Sequence, residues 1–142
     1  MIRSTLTIAG LTAALFLAGC ATQEPAKPMT KEEAAAAAAH DAATAAKLKG
    51  NWTGKWELPG YGGGKFELIV TEVAGTAVTG SANWYGTAAG DTKGPLSGAV
   101  VKNGQLTAKQ GSANLKLTAK DDKTLTGTWE ASGYSGPLNL TR

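Results

Sequence analysis

The chain has 142 residues, room for one small domain and an export segment. Its formal net charge of +3 is spread along the chain, so no clustered basic stripe marks a nucleic-acid partner. With one Cys and one His in the whole sequence, a disulfide framework and a Cys/His zinc site are excluded, and neither a metal nor a cofactor is expected.

Residues 1–19 have the layout of a secretory leader. Arg3 precedes an apolar stretch from Leu6 to Leu17, which closes in the small residues Ala18 and Gly19 before Cys20. The stretch is too short to span about 30 Å of hydrocarbon as a permanent helix. Leu17-Ala18-Gly19-Cys20 resembles the lipobox of bacterial lipoproteins at all four positions. The resemblance implies cleavage before Cys20 and acylation of its thiol and new amine with chains such as palmitate. Several acyl chains at about 0.8 kcal/mol per buried methylene hold a protein durably on a membrane. Ala21, in place of Asp, resembles an outer-membrane sorting signal in lipoproteins of diderm bacteria. The implied location is the cell envelope, at the outer membrane, facing the periplasm or the surface.

Residues 20–30 carry Pro25 and Pro28 among polar neighbours and read as an extended tether. Residues 31–49 are alanine-rich and read as a helical spacer. Thr30 with Glu33 has the form of a capping box, and Gly50 is placed to end the helix. With Leu48 as its one large apolar side chain, the helix shows no core-facing stripe. It is expected to stand free, so that removing it leaves the barrel's stability unchanged. His40 on this rod has no partner of catalytic type and reads as a solvated residue.

From residue 50 to 142 the composition changes, with all four Trp and 17 of the 19 glycines. Apolar residues alternate with polar ones at Phe66, Leu68, Val70 and at Leu115, Leu117, Ala119. Turn signals divide the stretch into strands at 51–58, 65–73, 76–85, 95–101, 105–110, 112–119, 124–131 and 136–141. No helical pattern intervenes, so the connections are hairpins. The expected fold is all-β, an eight-stranded antiparallel up-and-down barrel, with a sandwich as the alternative.

An apolar residue, Ser or Thr, then Gly recurs at Trp52, Val78, Leu96 and Leu125. Alternation from these units carries Trp52, Trp56, Trp84 and Trp129 to the interior as candidate ligand-facing residues, with Ala82 and Val100 in the same register. Trp84, beside a long Gly86–Gly94 loop, is expected at the mouth, and Trp129 deepest. Residues 53–61 and 126–134 match as Thr-Gly-x-Trp-Glu-x-x-Gly-Tyr, which puts Glu57 and Glu130 outside, away from any shared catalytic site. Without His or Cys in this stretch no conventional nucleophile dyad forms, so no enzyme is expected.

Gly50-Asn51-Trp52 resembles the G-x-W of the first lipocalin strand, and the meander is similar to the calycin group, which includes the avidins. In those barrels a basic residue from the C-terminal part packs over the first-strand Trp. Arg142 is the residue that would close the barrel over Trp52 by a cation–π contact. The avidin ligand residues have no counterparts here, because Leu58 and Gly63-Gly64 stand at their places. The expected function is a non-catalytic binding module, anchored to the membrane through Cys20. Loop-mediated binding of an envelope protein ranks slightly ahead of a small apolar ligand inside the barrel. A structural envelope role is the third reading.

Overall fold

The computed structural model describes residues 27–142; the leader, Cys20 and most of the tether lie outside them. The Thr30 hydroxyl accepts from the Glu33 amide at 3.2 Å, and the Glu33 carboxylate accepts from the Thr30 amide at 2.9 Å. This capping box opens helix α1, Lys31–Lys47. Nine strand segments follow: β1 Gly50–Leu58, β2 Gly62–Ala74, β3 Ala77–Thr87, β4 Gly90–Pro95, β5 Ser97–Lys102, β6 Gln105–Gln110, β7 Ala113–Ala119, β8 Thr124–Ala131 and β9 Tyr134–Thr141.

Every pairing is antiparallel, and the β1–β9 and β2–β3 ladders close the ring. Segments β4 and β5 share one place beside β3. Between them the Leu96 amide donates to the Gly80 carbonyl at 2.8 Å, which keeps the chain on β3 through the break. The fold is therefore a closed eight-position antiparallel barrel preceded by one helix. Closure leaves few free strand edges. Glycine makes the tight ring feasible: a methyl on Gly54 would fall on the Asn139 carbonyl, and one on Gly127 on that of Lys116.

Three details differ from the sequence reading. The expected Gly86–Gly94 loop is a hairpin, with Trp84 opposite Thr92 and Ala82 opposite Gly94. No side chain of β4 is fully buried, so it carries no apolar alternation to read. Backbone pairing alone makes it a strand. Val100 points outward, 37% exposed, while Ala99 and Val101 are buried. Gly98 takes φ of +58° at a register shift between Ser97 and Val100, and that bulge reverses the faces.

The third difference is the helix. Ala45 and Leu48 are buried in the barrel's own core, so residues 31–49 do not form a free spacer. Asp41 is buried too. Its carboxylate accepts from the backbone amides of Asn103 and Gly104 at 2.9 and 2.7 Å, at the turn joining β5 to β6. Asp41, Ala45 and Leu48 are spaced i, i+4, i+7 and define one narrow face. His40, next to Asp41, is exposed. The helix closes one end of the barrel.

On the outer wall of β2 and β3, Glu67 accepts from Lys65 at 2.7 Å, from the Tyr85 hydroxyl at 2.8 Å and from Asn83 at 3.3 Å. The Lys65 bond, then those of Tyr85 and Asn83, hold the Glu67 carboxyl near 2, below its ordinary 4.5. A carboxyl lowered on folding stabilises the fold above about pH 4.5 and loses that contribution as pH falls through about 2. Unfolding midpoints measured across this window should fall more steeply for the native chain than for Glu67→Gln. Parallel curves would show that the cluster is too exposed to matter.

Candidate functional site

The two ends of the barrel are built differently. At the helix end, Trp52 is 1% exposed and its Nε1 donates to the Leu48 carbonyl at 2.8 Å. The Arg142 guanidinium lies over its ring, 4.4 Å from the centroid. Arg142 Nε also donates to the Asp122 carbonyl at 2.7 Å, and Nη1 to the Lys49 carbonyl at 3.2 Å. These bonds tie the last residue to the β7–β8 turn and to the segment leaving the helix. Lys47 and Asp122 add an exposed ion pair at 3.1 Å. Trp52 is a closing residue and does not line the open cup at the other end, which corrects its place among the ligand-facing side chains.

Above it the interior is filled by Phe66, Leu68, Leu106, Leu117, Leu125 and Leu140, all at most 2% exposed. The filling stops short of the other end. There the turns β1–β2, β3–β4, β6–β7 and β8–β9 rim an open cup of about 1000 Å³. Trp56, Trp84 and Trp129 form its floor. Their centroids are 5.7–6.2 Å apart and their planes steeply inclined, an edge-to-face triad, with Phe66 packed 4.5 Å below Trp84.

The three indole N–H groups are all engaged in the wall. Trp56 Nε1 donates to the Tyr85 carbonyl at 3.0 Å and Trp129 Nε1 to the Glu57 carbonyl at 3.0 Å. Each ring crosses a glycine on the neighbouring strand to reach the strand beyond: Trp56 is opposite Gly64, and Trp129 opposite Gly136. A methyl on either glycine would meet both the indole nitrogen and its acceptor. The matched units at 53–61 and 126–134 thus share one geometry, with Glu57 and Glu130 exposed outside. Trp84 Nε1 donates to Gln110 Oε1 at 2.8 Å.

Trp56, Trp84 and Trp129 are 9%, 6% and 7% exposed, so they form one shallow floor. Trp129 is not the deepest ring, and Trp84 is not the most open. The depth order fails because β3 continues past Trp84 into β4 instead of ending there. Tyr61 and Tyr134 stand on the rim, 82% and 55% exposed.

Gln110 is absent from the sequence expectation. Its signal is the alternation Leu106, Ala108, Gln110 on β6, which brings an amide onto an apolar inward face. None of the cup's lining side chains is Lys, Arg, His, Asp or Glu. Compared with protein-family models, curated proteins and solved structures, the chain matches none.

Proposed function

We propose that this protein is a lipid-anchored envelope protein whose barrel is a non-catalytic module binding a small, neutral, mainly apolar molecule in its open cup. The observation that carries this reading is the cup itself. It has about 1000 Å³, an indole floor with its N–H groups tied into the wall, and no charged side chain in its lining. Its volume is that of a small-molecule site. A charged ligand would lose its hydration there without gaining a counter-charge. The absence of an acid–base pair in the lining supports binding over catalysis.

The calycin resemblance is supported by the antiparallel meander and by Arg142 over Trp52. The anchoring half of the reading rests on Leu17-Ala18-Gly19-Cys20. Chain direction links the two halves. The helix enters β1 at the closed end, so the cup opens at the end opposite the junction of α1 and β1. The exposed Tyr61 and Tyr134 favour a second reading, in which an envelope protein docks on the rim and inserts a side chain.

Each half has its own test. A clickable fatty acid should label the native chain and not Cys20→Ala; equal labelling would remove the anchor. For the cup, a chain beginning at residue 21 keeps every described element. N-phenyl-1-naphthylamine, a neutral fluorophore, should bind it and shield tryptophan emission from acrylamide. Filling the cup by Ala131→Phe should abolish both effects. Failure of the native chain to bind, or equal binding by the filled variant, would reject the ligand reading.

A further inference from the structure

We infer that Gln110 is the specificity residue of the cup, its side-chain amide donating to a single acceptor oxygen, as in a ketone, ester or ether, on an otherwise apolar ligand. The inference rests on the reading of the cup as a ligand site.

An indole N–H can only donate, so the Gln110 atom 2.8 Å from Trp84 Nε1 must be the carbonyl oxygen. That contact removes the usual ambiguity of an amide flip. Nε2 is thereby turned the other way and has no hydrogen-bond partner among the described residues; since no buried side-chain nitrogen among them lacks a partner, this one is open to solvent. The residue as a whole is only 6% exposed and lines the cup.

Gly94 on β4 completes the arrangement. A methyl there would sit 2.9 Å from Gln110 Nε2, so the glycine leaves the amide uncovered. On that side β4 has no strand partner, because β5 is the segment that pairs with β6. Elsewhere in the lining the polar side chains are hydroxyls and the engaged indoles: Thr87 ends β3 and donates to the Gly90 carbonyl, Ser112 and Ser132 lie in turns, and Thr92, opposite Trp84, is exposed. Gln110 carries the one side-chain amide in the lining, on a residue that is otherwise buried. An apolar ligand that displaces water from this donor leaves it unpaired, so a molecule of the same shape that carries an acceptor there gains over it.

A matched pair tests this. 2-Acetylnaphthalene and 2-isopropylnaphthalene have nearly the same shape and differ in the acceptor oxygen. Each would be titrated against bound N-phenyl-1-naphthylamine on the chain beginning at residue 21. Gln110→Met, close in volume and without a donor, should lower the ketone-to-hydrocarbon affinity ratio about fivefold, the worth of one ordinary hydrogen bond. Thr92→Val, which removes the hydroxyl opposite Trp84, should move the ratio less than Gln110→Met does. On the native chain, the side-chain amide resonances of Gln110 should move with the ketone and not with the hydrocarbon, a readout that needs no variant to fold. An unchanged ratio in folded Gln110→Met, a larger change in Thr92→Val, or unmoved amide resonances would overturn the assignment while leaving the cup reading intact. Failure of both naphthalenes to displace the probe would reject the two together.

Discussion

Removing residues 31–49 should lower the stability of the barrel by about 3–5 kcal/mol, measured as the shift in denaturant midpoint multiplied by the slope. Three losses combine. Leu48 is 2% exposed, and losing its burial forfeits roughly 2 kcal/mol of transfer free energy. The Trp52 indole loses its acceptor, the Leu48 carbonyl, inside a closed site. The Asn103 and Gly104 amides lose the Asp41 carboxylate. Asp41→Ala alone should cost about 1.5–3 kcal/mol, the range for hydrogen bonds to a charged group. Leu48→Ala should cost about 2–4 kcal/mol. A deletion that left the midpoint unchanged would show that the helix merely rests against the barrel.

The helix also shows where hydropathy falls short as a guide. Its buried face is made of Asp41, Ala45 and Leu48, a carboxylate, a methyl and one large side chain. Such a face has almost no hydrophobic contrast with the alanines around it. What docks it is a charge-assisted pair of backbone bonds at a turn more than sixty residues away. The turn itself was legible: Asn103-Gly104 is a hairpin signal, and both residues take positive φ, 53° and 73°. The pairing between helix and turn was not, because no local pattern encodes it.

For the barrel, alternation was enough wherever large side chains mark the inner face. Trp52, Trp56, Trp84 and Trp129 all point inward. Alternation failed at β4, whose side chains mark no face, and at Gly98, where one bulged residue exchanges inside for outside. The cup lay between these cases. Three of its four expected rings line it, yet their convergence at one end depends on register across five strands, β8, β9, β1, β2 and β3. Gln110 shows as a polar residue on an inward face, a signal that needs the sheet to give it meaning.

Trp52→Ala should be the most damaging substitution among the four tryptophans, at about 3–5 kcal/mol. Trp52 is the most buried of the four rings and stands between the filled core and the docked helix. Its removal empties the closed end, strips the Leu48 carbonyl of its donor and leaves the Arg142 guanidinium without its aromatic face. The cation–π contact adds about 0.5–2 kcal/mol to what burial alone supplies. Trp52→Phe keeps an apolar ring under Arg142 but loses the hydrogen bond, and should recover part of the loss. At the other end, the floor rings face the cup, so a truncated side chain enlarges a space already open to solvent. Trp56→Ala and Trp129→Ala should therefore cost less than Trp52→Ala while weakening N-phenyl-1-naphthylamine binding. Trp52→Ala in a chain that still folds should leave probe affinity nearly unchanged. The comparison requires two readouts on the same variants, unfolding midpoint and probe affinity. The reverse pattern, with Trp52→Ala abolishing binding and Trp129→Ala carrying the larger stability loss, would mean that the ligand site lies beneath Arg142 and that the two ends have been assigned the wrong way round.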